Sequence, residues 1–385
     1  MQDCSNTTDD DLTINCNICG ASYSALTESC PTCGAANPYA GVKSRKGIAK
    51  AVVAGVIVLV AVAAVFLILP AIMSGQRGGS AVDTAVTIFR PPAMSPKIVP
   101  QEELVDHALA AINKDRKELG LPQVKLSDNK AAQLHAEDVF KSKQISHWTT
   151  AGEKPYMVYT QQSGKGSVHQ NVAIAGFGTD QYDRCKSLVL LCEKIDPVKS
   201  INELESEMMN NDDKCCANGH RDNILDPHHT SVSIGIAYDD YYLALVQNFE
   251  NDYGLDVSMD GNYVSIVGPV PQGSKLDHVV IYYDDTPSLA SYEANKKMIS
   301  YSAGDLVASV FEPLPVGMRY QQPSGYLVIE ADSWVTQKSQ LDVGFDLSPV
   351  IKKDGVYTIY TTFKDADGKQ YDGTSYSVFV TGSGT

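Results

Sequence analysis

Two pairs of cysteines near the N-terminus carry the most specific chemistry in the sequence. Cys16 and Cys19 form one Cys-x-x-Cys pair, and Cys30 and Cys33 form a second pair after ten intervening residues. Two thiolates on one tight turn can reach the same ion, so two such turns supply the four ligands of a closed tetrahedral site. The spacing therefore predicts a structural Zn²⁺ ion with no open coordination position for catalysis.

Residues 1–40 resemble a small zinc ribbon. Gly20 and Gly34 follow the two cysteine pairs, where such a turn commonly requires positive φ. A fold of about 30 residues buries too little apolar surface to hold together without a staple such as a metal. The alternatives are redox-active pairs or incidental cysteines, but a reducing compartment favours a metal over disulfides. We expect a structural zinc ribbon in the cytoplasm, where it could recruit a protein partner.

The 23 residues from Ala51 to Met73 contain no charged side chain. A helix needs about 20 apolar residues to cross a bilayer, and a signal peptide would not follow 50 residues that contain cysteine pairs. Four Lys or Arg residues closely precede the run, whereas only Arg77 closely follows it. The positive-inside rule then places the N-terminus in the cytoplasm and residues 74–385 outside. The sequence predicts a single-pass cell-membrane protein with a transmembrane helix at 48–73 and a linker at 74–100.

The composition is acidic, with a formal net charge of −15 over 385 residues. That length is enough for two or three domains. A nucleic-acid-binding protein needs a basic surface to neutralise phosphates, and no basic stripe is visible in this sequence. The composition therefore argues against a nucleic-acid partner.

The segment 215–250 reads CCANGHRDNILDPHHTSVSIGIAYDDYYLALVQNFE. Within it, a His-Arg pair begins at His220, and two strand-like runs, Val232 to Tyr238 and Tyr242 to Phe249, follow. This pattern resembles that of the CAP superfamily of SCP-like extracellular proteins, which includes cysteine-rich secretory proteins, antigen 5 and plant pathogenesis-related proteins. Residues 113–139 are similar to the first two helical segments of microbial CAP domains.

The resemblance implies an α-β-α sandwich over residues 101–252. Apolar residues recur with a helical period from Leu104 to Leu119, and this pattern predicts the first helix. The pair Ser127-Asp128 predicts the start of the second helix. The family's cleft has two histidines and two acids, a set able to hold a divalent metal or move protons. The residues of this chain that match the cleft are His147, Gln170, Glu207 and His220, with Glu207 chosen from five upstream acids.

One departure from the family pattern bears on the function of the cleft. Gln170 stands where the family has a glutamate, and an amide has no titratable proton and is a poor Zn²⁺ ligand. His147, His220 and one acid could still form a three-ligand metal site, or the histidines could be hydrogen-bonded framework residues. We expect His169 on the strand face opposite Gln170, and His228-His229 on an exposed loop.

Three functions remain open at this point. The leading hypothesis is a non-catalytic extracellular module that binds a lipid, a glycan or a protein partner. The first alternative is a metal-dependent hydrolase of peptide or cell-envelope polymers that uses His147 and His220. The second is a transmembrane sensor whose zinc ribbon recruits a cytoplasmic partner.

Four further cysteines lie in the part of the chain that is predicted to be extracellular, where disulfides form. Adjacent cysteines rarely pair with each other because the resulting ring is strained. We therefore expect Cys215 and Cys216 each to pair with one of Cys185 and Cys192. The alternative is that the cysteines are reduced in a buried turn.

Residues 257–382 carry short alternating runs bounded by Gly, Pro or Asp. The clearest pair is Val356 to Phe363 and Ser375 to Val380, separated by a turn that ends in Asp367-Gly368. About seven strands predict a β-sandwich of immunoglobulin-like size. The overall fold class is α+β.

Overall fold

The computed structural model describes residues 13–15, 22–24, 27, 29, 31–32, 99–337 and 339–382. Strands β1 (Thr13–Asn15) and β2 (Ser22–Ser24) form an antiparallel pair. The predicted zinc ligands lie outside the described residues, and so does the predicted transmembrane helix; the ligands are Cys16, Cys19, Cys30 and Cys33. Among the residues that are described, no helix has the length and apolar character needed to cross a membrane.

A four-stranded sheet forms the centre of residues 101–251. Its strands are β3 (Lys125–Leu126), β4 (Ser167–Gly176), β5 (Ser231–Tyr238) and β6 (Tyr242–Asn251), in the order β3-β5-β6-β4. The pairs β5-β6 and β6-β4 are antiparallel, whereas β3 and β5 are parallel. Every residue of β6 is buried, as expected for a central strand covered on both faces.

Six helices surround this sheet: α1 (Gln101–Glu118), α2 (Ala131–Ser142), α3 (Pro155–Gln161), α4 (Thr179–Lys186), α5 (Pro197–Asn210) and α6 (Gly219–Leu225). Helices α1, α5 and α6 pack one face of the sheet in a core that includes Ile112, Ile201 and Phe249. Helix α2 packs the other face, where Ala136 and Val246 belong to a second cluster. Residues adjacent along β4 and β6 alternate between the two cores, which gives the α-β-α layering.

The second helix begins later than expected. The Ser127-Asp128 signal predicts a helix start there, but α2 begins at Ala131. The Asn129 side chain accepts a hydrogen bond from the Ala131 N–H at 2.9 Å, so Asn129 holds the turn that precedes the helix. Helix α2 then approaches β5 so closely that a Cβ on Gly235 would lie 2.0 Å from the Ala132 carbonyl oxygen.

Nine strands form the β region, residues 256–380. The strands are β7 (Asp256–Asp260), β8 (Tyr263–Pro269), β9 (Lys275–Asp284), β10 (Asp305–Phe311), β11 (Leu327–Glu330), β12 (Ser333–Gln337), β13 (Gln340–Asp346), β14 (Gly355–Lys364) and β15 (Gln370–Val380). They build a four-stranded sheet, β12-β13-β8-β7, and a five-stranded sheet, β11-β10-β9-β14-β15. One helix, α7 (Leu289–Asn295), lies between β9 and β10.

The two sheets of the β region share one core. Val264, Ile266 and Phe345 come from the first sheet, and Val279 and Ile359 come from the second. The structure has nine strands where the sequence predicts about seven, and β7 and β12 are the two edges of the four-stranded sheet.

The β region packs directly against the helical part of the chain, and residues 99–382 lie in one compact unit. Strand β15 contributes several of the polar contacts. The Ser375 N–H donates to the Gly166 carbonyl at 3.0 Å, and the Asn251 side chain donates to the Asp372 carbonyl at 2.7 Å. These bonds connect the end of the central sheet with the last strand of the chain.

Candidate functional site

His147 and Gln170 meet at one end of the central sheet. His147 lies on the loop after α2, and Gln170 lies in β4, where it is 3% exposed. His147 Nδ1 is 3.1 Å from Gln170 Oε1, and Gln170 Nε2 donates to Asn248 Oδ1 at 3.1 Å. Both ends of the Gln170 amide are therefore engaged within the fold.

His220 lies at the start of α6 and is paired with Asp212. His220 Nδ1 is 2.6 Å from Asp212 Oδ1, and Asp212 Oδ2 accepts from the backbone N–H groups of His220 at 2.8 Å and Arg221 at 3.2 Å. Asp212 is 2% exposed and satisfies the N-terminal end of the helix. The carboxylate fixes the orientation of the imidazole and leaves Nε2 as its second ring nitrogen.

Asparagines join the two halves of the site. The Asn171 side chain donates to the His220 carbonyl at 3.1 Å, and the Asn223 side chain donates to Asn171 Oδ1 at 2.9 Å. Burial is the main cause that lowers the pKa of His147, and the neighbouring His220 lowers it further.

The family model described as CAP, the cysteine-rich secretory protein family, matches residues 109–249. These residues form a CAP domain. The match includes His147, Gln170, Asp212 and His220, so the whole cluster lies within the domain. No curated protein matches the chain.

Three solved structures are similar to the chain over part of its length. An extracellular protein containing a SCP domain from Bacillus anthracis str. Ames is 19% identical, with a TM-score of 0.27, over 39% of this chain and 41% of its own. An outer surface protein from Borrelia burgdorferi is 15% identical, with a TM-score of 0.29, over 40% of this chain and 95% of its own. The CAP domain of enterococcal PrgA is 12% identical, with a TM-score of 0.28, over 43% of this chain and 68% of its own. The chain thus spans less than half of the Bacillus protein.

The structure places Glu207 away from the CAP cleft. Glu207 is exposed on α5, and the acid that contacts His220 is Asp212, one of the five acids in the upstream cluster. A third member of that cluster, Glu205, is 3% exposed and accepts a hydrogen bond from Gln247 at 2.7 Å. Burial raises the pKa of Glu205 to about 7.

A segment of the β region covers His147. The Tyr301 ring centroid lies 5.1 Å from that of His147 and 6.5 Å from that of Trp148. The Ile299 carbonyl also interacts with the His147 ring. The pKa of His147 falls to about 4, chiefly because burial disfavours the charged ring, so His147 is neutral at pH 7. The sequence of the CAP domain does not predict this contact, because Ile299 and Tyr301 lie in the connection between α7 and β10.

An ion pair fixes the covering segment to the CAP domain. Lys154 Nζ is 2.6 Å from Asp284 Oδ1 and donates to the Ser302 carbonyl at 2.9 Å. The Tyr156 hydroxyl donates to the second oxygen of Asp284 at 2.5 Å. The Lys154 and Asp284 side chains are only 11% and 12% exposed. This buried ion pair fixes the position of the β region against the CAP domain beside His147.

The prediction that His228 and His229 lie on an exposed loop was wrong. His229 is 3% exposed and its Nδ1 is 2.6 Å from Asn251 Oδ1, while His228 stacks on Tyr371 with centroids 4.0 Å apart. The β region packs over this loop and buries it. His169 lies beside His229, with ring centroids 5.2 Å apart, and does not contribute to the cluster around Gln170.

The predicted disulfide pairing was also wrong. Cys185 and Cys192 are bonded to each other, with Cα atoms 5.6 Å apart. The chain returns to the end of α4 because the N–H groups of Val189 and Leu190 donate to the Arg184 carbonyl, which brings Cys192 back to Cys185. Cys215 and Cys216 lie on the turn between Asp212 and α6, with Sγ atoms 2.6 Å apart.

Among the described residues, one group of potential metal ligands lies close together: Asp212, Cys215 and Cys216. This group does not contain His147. The side chain that contacts His147 is the amide of Gln170, and both oxygens of Asp212 are already engaged by His220 and Arg221. The residues present therefore fit the four-ligand cleft of the family poorly.

Proposed function

We propose that this protein is a membrane-anchored extracellular CAP-domain protein that binds a partner without catalysing a reaction. The observation that carries the proposal is Gln170, whose buried amide engages His147 and Asn248. A residue that cannot exchange a proton and is already hydrogen-bonded at both ends is a poor base or metal ligand. We therefore assign His147 and Gln170 a structural role, in which their hydrogen bonds stabilise the domain.

The cover over His147 supports the same proposal. His147 is half-buried, and a substrate that approached its covered side would have to displace Tyr301 and Ile299, whose segment is held by Lys154 and Asp284. A hydrolase needs an open coordination position or a base within reach of its substrate.

The disulfide loop closed by Cys185 and Cys192 supports a role in binding. Three of its side chains are among the most exposed apolar groups: Leu188 is 75% exposed, Val189 is 68% exposed and Leu191 is fully exposed. Leu188 also adopts a φ of 58°, which is uncommon for a bulky residue and is often found at functional sites. Apolar tips of this kind favour a lipid surface over a glycan, since insertion removes their side chains from water.

The lipid assay uses residues 99–385, which lack the predicted transmembrane helix. We expect flotation with phosphatidylcholine vesicles, and loss of flotation in the double variant Leu188→Ser and Leu191→Ser. The matched control is Leu289→Ser, since Leu289 is 65% exposed but lies on α7 outside the loop. Equal flotation of all variants, or none in the unmodified segment, would reject lipid binding through this loop.

The metal-dependent hydrolase is a second candidate because His220 and Asp212 form a carboxylate–imidazole pair. Zinc titration by calorimetry on the full chain separates the two proposals. A non-catalytic cleft predicts the same zinc stoichiometry in the unmodified chain and in His147→Ala and His220→Ala. One equivalent lost in both variants would favour the hydrolase.

The proposal for the cytoplasmic segment, residues 1–40, rests on the amino-acid sequence alone. We infer that the zinc ribbon at residues 1–40 binds Zn²⁺ through four cysteines and recruits a cytoplasmic protein, which would make the chain a transmembrane sensor. Cys16→Ser should lower zinc stoichiometry by one equivalent without changing the unfolding of the CAP domain. An unchanged stoichiometry would argue against the ribbon.

A further inference from the structure

A groove of about 420 Å³ lies between helices α1 and α5. His107, Ala111 and Asp115 are four residues apart along α1 and line the groove together. Asn202 and Ser206 have the same spacing on α5. His107 Nε2 is 2.8 Å from Asn202 Oδ1, so a polar contact joins the two helices beside the groove. The groove shares no lining residue with the disulfide loop or with the cluster around His147, so it is a separate site.

Glu205 is the buried acid of this groove. It lines the groove from α5 and is only 3% exposed. Its Oε2 atom accepts a hydrogen bond from Gln247 Nε2 on β6 at 2.7 Å, whereas its Oε1 atom accepts none from any described residue. A buried carboxylate oxygen without a donor costs free energy, and a ligand that supplies an N–H group recovers it.

Asp115 supplies a second carboxylate to the groove, where it is half-buried on α1. Burial is the main cause that raises the pKa of Glu205, and repulsion by Asp115 raises it further, so the two carboxylates interact. Lys114 also lines the groove, but its Nζ atom lies 3.7 Å from Glu118, an acid outside the groove. Two carboxylates and one lysine that is shared with a third acid leave the groove suited to a cationic ligand.

We propose that this groove binds a small aliphatic diamine in its doubly protonated form. One ammonium group donates to Glu205 Oε1, and the second pairs with Asp115. The carbon chain between them lies along the methyl groups of Ala110 and Ala111, whose small size leaves the groove open. A single metal ion fits less well, because in the described part of the chain the two carboxylates and His107 do not form a close group of three ligands. A diamine carries its two charges several ångströms apart, so it can reach both carboxylates.

Binding of the diamine should depend on pH through Glu205. Burial raises the pKa of Glu205 to about 7, so its carboxylate form increases from about a tenth of the molecules at pH 6 to about nine-tenths at pH 8. Aliphatic amines titrate near pH 10 and stay charged over this range. Because the ligand pairs with the carboxylate, its affinity should rise about tenfold between these pH values, and binding near pH 6 should release a proton. His107 lines the same groove, and histidines also titrate in this range, so a variant of Glu205 is needed to assign the effect.

The test is calorimetric titration of the full chain with 1,4-diaminobutane at pH 6 and pH 8. Butylamine carries one charge and 1,4-butanediol carries none on a carbon chain of the same length, so we expect weaker binding of butylamine and no binding of the diol. Glu205→Gln should lower the affinity for the diamine by about tenfold or more, because a hydrogen bond to a charged group is lost. The same variant should remove the rise in affinity between the two pH values. Ala110→Leu fills the groove without altering a charge and should also abolish binding.

Glu207→Gln is the matched control, because Glu207 lies on the same helix but is exposed, and it should bind the diamine like the unmodified chain. No binding of the diamine, or equal binding of the diamine and either comparison compound, would overturn the proposal. So would an unchanged affinity in Glu205→Gln, or a pH profile that persists in that variant and therefore belongs to another group. Circular dichroism shows whether each variant is folded. If Glu205→Gln does not fold, Ala110→Leu decides, and undiminished binding in that variant would reject the groove as the site.

Discussion

The ring of Tyr301 lies over the ring of His147, with 5.1 Å between their centroids. The two residues come from different parts of the chain, the β region and the CAP domain. Their contact shields a histidine that would otherwise be the first residue to examine for catalysis. The accessibility of His147 therefore depends on residues outside the segment 109–249 that matches the family model.

Removing the cover should change the titration of His147. In Tyr301→Ala, the ring becomes more accessible to water, which favours its charged form, so its pKa should rise from about 4 toward the ordinary value near 6.5. Tyr301→Phe retains the ring and should leave the pKa low. NMR titration of the histidine resonances measures both. A pKa that stays near 4 in Tyr301→Ala would show that Tyr301 does not shield the histidine.

Glu205 should make the protein less stable as the pH rises. Its folded pKa is about 7 against 4.5 for the ordinary group, so the folded state binds more protons between these values and stability falls as the pH rises through them. Glu205→Gln removes this loss, and its free energy of unfolding relative to the unmodified chain should rise by roughly 2–3 kcal/mol between pH 5 and pH 8.

Glu207→Gln is the matched control for that change, because Glu207 lies on the same helix but is exposed. Urea denaturation at the two pH values gives the comparison. Parallel pH dependence in the two variants would mean that Glu205 is not the residue responsible.

The Lys154–Asp284 pair should contribute strongly to the junction between the CAP domain and the β region. Asp284→Ala leaves the buried Lys154 ammonium without its counter-charge, which typically costs about 3–5 kcal/mol. Asp285→Ala is the control, since that side chain is 84% exposed and its ion pair with Lys353 should be worth less than about 1 kcal/mol. Calorimetric unfolding compares the two; similar small losses would indicate that the junction is held elsewhere.

Gly235 should tolerate no side chain. Gly235→Ala places a Cβ 2.0 Å from the Ala132 carbonyl, so α2 must move away from β5 at a cost of about 1–3 kcal/mol or more. Gly219→Ala meets no atom within 4 Å and should be neutral or slightly stabilising. Thermal denaturation followed by circular dichroism provides the comparison. An unaffected melting temperature for Gly235→Ala would contradict the close approach of the helix.

Local patterns in the sequence predict much of the CAP domain. The apolar period from Leu104 identifies α1, and the alternating runs after His220 identify β5 and β6. These elements are recognisable because their burial repeats with the period of the secondary structure. The motif also places His147, Gln170 and His220 in one region of the fold.

Long-range contacts explain what the sequence did not predict. Five acids precede His220, and only the turn at Ala217 and Asn218 decides that Asp212 is the one that contacts it. The disulfide partners depend on how the loop after α4 folds back. The burial of His229 and the cover by Tyr301 depend on a neighbouring region whose docking has no local signature in the CAP domain.

The cover over His147 has a consequence for measuring affinity. Because Tyr301 and His147 belong to one chain, dilution cannot separate them, and a tethered segment competes at an effective concentration that is typically on the order of millimolar. Any compound that enters this side of the cleft must outcompete that segment. A CAP domain cut before the β region would therefore bind such a compound more tightly than the intact chain does, and the ratio of the two affinities would measure how firmly the cleft is occupied.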